Sequence, residues 1–479
     1  MIVRRLWRAA APVLLAAVAL AAAPAAPSSE SKTAAHFAAI RSQPPLLLAF
    51  LTAMPKGGDL HNHLSGAIYA ESYLSWAAVD GLCLAIGTLS IVGGTCDAAA
   101  GRPPVADLMR NSNPLFNQAV DAMSMRHWNR ALNGHDHFFA TFGKFGPARR
   151  TGDMLAEVTR RAAAEQVSYL ELMVSHEAGA AGLKAAAVGW DPDFGRLRQK
   201  LLDARFLEDV VTAAMRRIDD AESERRARLS CGSLSAELGC LVTVRYIAQV
   251  ARASAPEIVF AQMLAGFEIA TADARVVSVN LVQPEDDPVA VRDFTLHMRM
   301  LDYLHSEYPT VKITLHAGEL TEGLVAPETL RFHMRESVRT GHAARLGHGT
   351  GVMYEDDPLA LLRELAEKKV LIEVALSSSD LILGVTGSRH PLRTYLKYGV
   401  PVALVTDDAG VSRSTMTLEY KKAVEEQNLD YKALKRMARN SIDYSFADSA
   451  TKAGLKTELE KAFTAFERRT SNAERRTTP

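Results

Sequence analysis

Recurrence constrains this chain more than any other feature. Eight short apolar segments rich in Val, Ile and Leu follow one another, and each ends in a polar or glycine-containing turn. They lie at 56–63, 167–175, 241–250, 275–282, 312–318, 344–349, 370–376 and 401–408. Stretches with helical periodicity separate them, among them 154–166, 206–226, 293–308, 358–369 and 391–398. Short apolar runs bounded by turns read as strands covered on both faces. Strand and helix in alternation build a parallel sheet from βαβ units. Eight such units predict an α/β fold closed as a (β/α)8 TIM barrel, placed at 51–460. The chain of 479 residues is longer than that barrel needs. The surplus is read as an insertion after strand 1, over 80–133, and a helical C-terminal tail ending in a charged, Arg-rich segment at 461–479.

The first 25 residues read as a secretory signal peptide. Arg4, Arg5 and Arg8 form a basic start without an acid, an alanine-rich apolar run follows, and Ala23-Pro24-Ala25 offers a small-residue cleavage site. The run is shorter than the roughly 20 residues that span a bilayer. The expected protein is therefore exported, to the periplasm or beyond, with no membrane contact after cleavage. Residues 26–50 read as a linker running into a helix. Lys and Arg number 55, as do Asp and Glu, so no global basic field exists to hold nucleic acid. Cleavage removes three arginines and leaves the exported chain at −3.

Export also governs the four cysteines, Cys83, Cys96, Cys231 and Cys240. In an oxidising compartment an even number argues for disulfides, and four allow three connectivities. Pairing within each short loop, Cys83 with Cys96 and Cys231 with Cys240, is the favoured arrangement. No CxxC occurs to suggest thiolate metal binding.

The chemistry-bearing residues gather at the segment ends, where barrel enzymes keep their active sites. His61 and His63 are two apart on the first strand and so project to one face. His316 ends the fifth segment and Asp407 the eighth. Three imidazoles and a carboxylate suit one Zn²⁺ with a position left for water. A second metal is not expected, because the fourth strand offers no Lys, Glu or Cys as a bridging ligand. HExxH and H-x-E…P-C-x-x-C are both absent, which excludes the helical metalloprotease and cytidine-type deaminase sites.

His316-Ala317-Gly318-Glu319 places an acid one tight turn beyond a ligand. Glu319 fits two readings, a buried proton donor with a raised pKa or an acid at a helix N-terminus. His348, between Gly347 and Gly349, can orient or deprotonate a water, or be an ordinary loop histidine. On an ideal strand Asp408, next to Asp407, would point away from the metal, free to hydrogen-bond a substrate or to serve as a structural acid.

Met54-Pro55-Lys56 and Asp59-Leu60-His61-Asn62-His63-Leu64-Ser65-Gly66-Ala67 resemble the opening motif of the adenosine deaminase family, in the metal-dependent hydrolase superfamily. His316-Ala317-Gly318-Glu319, Arg345-Leu346-Gly347-His348-Gly349 and Thr406-Asp407-Asp408 are similar to its other three motifs, in order. The export signal and the cysteine-bearing insertion resemble its extracellular, growth-factor-related branch. The resemblance implies zinc held by His61, His63, His316 and Asp407, and zinc-hydroxide attack on purine C6. It further implies Glu319 protonating N1, His348 orienting the hydroxide, and Asp408 bonding N7. The products from adenosine or 2′-deoxyadenosine would be the inosine nucleoside and ammonia, and the partner a small purine nucleoside. Four positions depart from the family pattern. Ser65 replaces an Asp that contacts ribose, Gln283 a Gly facing purine N3, Ala409 a Pro and Ser379 an Asn. The rival readings are a deaminase of another 6-aminopurine or N6-modified adenine nucleoside, a non-catalytic extracellular nucleoside-binding protein, and an amidohydrolase cutting a cyclic amide.

Overall fold

The computed structural model describes residues 28–111, 113–129, 134–177 and 179–477. The signal-peptide reading therefore lies outside the described residues.

Eight parallel strands form the barrel: β1 (Gly57–His63), β2 (Val167–Val174), β3 (Thr243–Ala251), β4 (Val276–Val282), β5 (Lys312–Ala317), β6 (Arg345–His348), β7 (Leu371–Val374) and β8 (Val402–Leu404). Each pairs with the next in chain order. Every residue of β6, β7 and β8 is buried, as in a parallel sheet filled on one face and covered by helices on the other. The seam between last strand and first closes through a bridge of Asn62 with Asp407. There the Asp407 N–H donates to His61 O at 2.9 Å, and the His63 N–H to Asp407 O at 3.2 Å.

All eight strands fall where the sequence places them, but several end early. β8 stops at Leu404 rather than continuing to Asp408. The cause is a left-handed turn at or just beyond the strand end, with φ of +57° at Asp407, +67° at His348, +79° at Gln283 and +75° at Gly318. Such backbone is unfavourable for a residue with a side chain and clusters at functional positions.

The outer parts differ from expectation in three ways. Residues read as a linker running into one helix form two, Ser29–Ile40 and Pro44–Ala53. Phe37 and Phe50 seal them to Tyr431 and Phe466 at ring-centre distances of 5.0–6.4 Å, and this burial outweighs the polar, linker-like composition. The charged end is no separate segment but the continuation of one helix, Ser449–Thr477, in which Phe463 and Phe466 are buried. The excursion after β1 is wider than 80–133, beginning with the helix Leu64–Ala67 and ending near Ala148. It contains the hairpin Cys83–Ala85/Ser90–Val92 and the helix His135–Thr141; residues 130–133 lie outside the described ones.

Both disulfides have the sequence-local pairing, Cys83–Cys96 and Cys231–Cys240. Among the described residues, no helix is long and apolar enough to cross a membrane.

Candidate active site at the barrel mouth

β1, β5 and the turn after β8 bring His61, His63, His316 and Asp407 together, with one ligand atom of each within 4.8 Å of the others. The Nε2 atoms of His61 and His63 lie 3.0 and 3.1 Å from Nε2 of His316. Oδ1 of Asp407 lies 3.4 Å from Nε2 of both His61 and His63. The other ring nitrogens decide what this cluster can do. Nδ1 of His61 donates to Glu373 at 2.8 Å, that of His63 to Gln249 at 2.9 Å, and that of His316 to Asn280 at 2.9 Å. A proton fixed on each Nδ1 leaves three bare Nε2 lone pairs converging on one point. This is how metal-binding histidines are oriented from behind. Asp407 adds an Oδ1 that is buried without a partner, while its Oδ2 accepts from Ser378 at 2.7 Å.

Electrostatics agree with that reading. Burial lowers the pKa of His63 and takes that of His316 well below its ordinary value. Burial also opposes charge on His61, but Asp407 and Glu373 outweigh it and push its pKa up to about 10. With protein groups alone, one positive charge thus sits on His61 between two carboxylates. A metal cation would take that place and displace the proton.

Beside the cluster stand Glu319 and His348, with Nδ1 of His348 3.4 Å from Oε1 of Glu319. Glu319 is buried, and its pKa is raised well above the carboxylate range by burial and by the charges of Asp407 and Glu285. No helix begins at Glu319, so the helix-acid reading is set aside. Burial draws His348 down to about 4, and neither of its ring nitrogens has a partner. A neutral acid thus faces a neutral base. Asp407 and His348 also form a second trio of possible metal donors with Glu319.

The backbone at Asp407 is left-handed, not the ideal strand assumed for Asp407 and Asp408. The strand alternation is broken there, so both aspartates line the same cavity. Asp408 is buried with Oδ1 unpartnered, and a Cβ on Gly66 would sit 1.6 Å from that oxygen. Only glycine fits at 66. Ser65 and Gln283 also line the cavity. Gln283 occupies its place in left-handed backbone, which explains a glycine preference there. Its side chain does not fill the pocket, because Oε1 accepts from the Ala253 N–H at 2.8 Å.

Glu285 is a residue that sequence reasoning missed. Its carboxylate accepts from the Gly318 and Glu319 N–H groups at 3.1 and 2.7 Å and from His333 Nδ1 at 2.7 Å. It thereby fixes the turn that aims Glu319. Glu373, Gln249 and Asn280 were missed as well. Their signal is a lone polar residue inside an apolar strand, as in Val370-Leu371-Ile372-Glu373-Val374.

The cavity measures about 380 Å³. Its floor carries the imidazoles and acids, and Phe138, Phe139 and Phe142 from the insertion stand at its side.

The family model for adenosine deaminase matches residues 148–462, about two thirds of the chain. This protein belongs to the adenosine deaminase family. The match begins after β1, so His61, His63 and Ser65 lie outside it. Aminodeoxyfutalosine deaminase of Streptomyces coelicolor is 33% identical over 146 residues, 30% of this chain and 35% of that protein. Adenosine deaminase of Enterococcus faecalis is 30% identical over 155 residues, 32% and 42% of the respective chains. The aligned segments thus span about a third to two fifths of these relatives. In fold, the chain is similar to the N6-mAMP deaminase of Arabidopsis, with a TM-score of 0.55 and 18% identity over 86% of this chain and 99% of that one. An amidohydrolase from Burkhoderia ambifaria, solved with bound Zn, gives a TM-score of 0.53 at 18% identity over 89% and 94%.

Proposed function

We propose that this protein is a zinc-dependent hydrolytic deaminase that converts adenosine and 2′-deoxyadenosine to the inosine nucleosides and ammonia. One observation carries the reading: the Nε2 atoms of three histidines and a carboxylate oxygen without a hydrogen-bond partner converge beside the buried Glu319, whose pKa burial raises well above the carboxylate range. A protein that only bound nucleosides would gain nothing from an acid held neutral at that cost.

His61, His63, His316 and Asp407 would hold one Zn²⁺, whose contribution when bound is to acidify a water molecule toward neutral pH. The remaining work falls to side chains. Glu319 donates its proton to purine N1, which makes C6 electrophilic; an ionised carboxylate would have no proton to give. His348, neutral and free at both nitrogens, orients the attacking water and accepts its proton. Burial and the charges of Asp407 and Glu319 raise the Asp408 pKa well above the carboxylate range, so its carboxyl group donates an O–H to N7, which only accepts. Ser65 and Gln283 meet the sugar side. The N-terminal sequence supports export, and with the cysteine-bearing insertion supports a place near the extracellular branch.

The test is an assay of purified protein on adenosine, 2′-deoxyadenosine, adenine and N6-methyladenosine, with zinc quantified in the same sample. Ammonia release from the two nucleosides, lost on chelation and restored by Zn²⁺, is expected. Preference for N6-methyladenosine would move the reading to an N6-modified substrate. Release from none of the four by zinc-replete protein would overturn it.

A further inference from the structure

The cavity is polarised from floor to mouth in a way that deamination itself does not require. The three carboxylates that line it, Glu319, Asp407 and Asp408, are all buried at its floor. Among the described lining residues the only guanidinium or ammonium group is Arg149, which is exposed and so belongs to the mouth.

Arg149 and its neighbour Arg150 are held differently. Arg150 pairs with Asp80 and lies 3.7 Å from Asp153. Among the described residues no carboxylate pairs with Arg149. Its guanidinium lies 5.5 Å over the Phe145 ring, and Nη2 donates to Phe142 O at 3.5 Å. A ring face and one long carbonyl contact steady the side chain yet leave most of its donor fork for an anion. Phe138, Phe139 and Phe142 of the same excursion also line the cavity.

A nucleoside's shape sets which end meets this cation. The 6-position must reach the floor, and the sugar leaves the purine from the opposite side, with C5′ outermost. We infer that Arg149 is the anion-binding element of a tail subsite, and that the preferred substrates are adenine nucleosides bearing a phosphate or carboxylate at the 5′ end. The inference rests on the proposed reading of the floor as a purine site.

Calorimetry with the zinc-loaded protein tests it without turnover. The ligands are inosine, inosine 5′-monophosphate and inosine 5′-carboxylate. At low salt at least one of the anionic ligands should bind about fivefold tighter than inosine, with the gap narrowing as salt rises. Whichever anion gains more identifies the source as phosphate ester or carboxylic acid. Arg149→Met should bring the ratio close to one, and Arg149→Glu should invert it. Equal binding of all three, or a preference that survives Arg149→Met, overturns the subsite. Parallel assays on adenosine and its 5′-monophosphate separate the two claims. Anion binding through Arg149 without turnover of any adenine compound sinks the deaminase reading and keeps the subsite. Turnover of adenosine with no anion preference does the reverse, and failure of all three ligands to bind sinks both.

Discussion

The barrel buries charge in two places and treats it in opposite ways. In the interior, Arg345 donates to Glu373 at 2.6 Å and to Glu171 at 2.5 Å, while Phe446 covers its guanidinium at 3.7 Å. Glu171 also accepts from Tyr169 and from the Phe446 N–H, and Glu373 from Thr314 and His61. No side-chain atom of Arg345, Glu171 or Glu373 is left without a partner. At the mouth, the comparable groups Glu319, His348, Asp407 and Asp408 each keep a buried polar atom unpartnered. Buried polar groups are normally satisfied, so the same fold shows what it does for stability and what it withholds for chemistry. Glu373 joins the two regions, with one oxygen on Arg345 and the other on His61.

The sharpest way to break this contrast is to neutralise one member of each set. Glu319→Gln should lower kcat by about 10³-fold or more while zinc content and Tm hold steady, because a neutral amide replaces a neutral acid. Retained activity, measured as ammonia release, would remove Glu319 from the chemistry. Arg345→Leu should instead cost about 3–5 kcal/mol in denaturant unfolding, since two buried carboxylates lose their cation. A loss under about 1 kcal/mol would mean the interior network is as dispensable as a surface pair.

Glu285→Gln tests the border between the two. It keeps the size of a residue that acts on the substrate only through the Gly318–Glu319 turn. The expected loss is roughly ten- to a hundredfold in kcat with KM little changed, together with a shift of the pH profile attributed to Glu319. A fall in Tm with an unchanged pH profile would assign Glu285 to structure alone.

Glu355 lies between the extremes and gives the smallest effect. One oxygen accepts from the Met334 N–H at 2.6 Å, and the other is buried and unpartnered. Burial raises its pKa from 4.5 to about 7. The folded protein therefore holds this proton more tightly than the unfolded chain does. The associated stability is present below pH 4.5 and is lost as pH rises through 7. Glu355→Gln should accordingly gain about 1 kcal/mol relative to the parent between pH 5 and pH 8, read from unfolding at both values. An identical pH dependence in the two proteins would refute the assignment.

Much of this contrast is visible in the sequence, but unevenly. Most of the eight strands are legible because short apolar runs rich in Val, Ile and Leu have few other uses at that length, whereas the first, Gly57–His63, is betrayed by its two histidines, and His316 and Asp407 stand at the ends of such runs. The interior network is harder to see. Glu171 and Glu373 are single acids in apolar strands, and a strand in this layer has two buried faces, so period alone does not say which face an acid takes. The turns at Gln283, His348 and Asp407 are harder still, since left-handed backbone at residues with side chains is imposed by surrounding packing. The ideal strand assumed through Asp407 and Asp408 fails for that reason. The terminal helices were underread because their burial depends on Phe37, Phe50 and Phe466 meeting across more than 400 positions.

The seam of the barrel also sets an order of events. Asn62 and Asp407 make the bridge between first and last strands, and the residues that flank or form it supply three of the four converging donors, His61, His63 and Asp407. These partners come from opposite ends of the barrel sequence, so no shorter piece of chain can assemble the four-donor set. A growing chain would carry His61 and His63, then His316, and would lack the carboxylate until the turn after the eighth strand arrived. Completion of the ring and assembly of the four donors are then one event, and a barrel that opened at this joint would disperse them in the same motion.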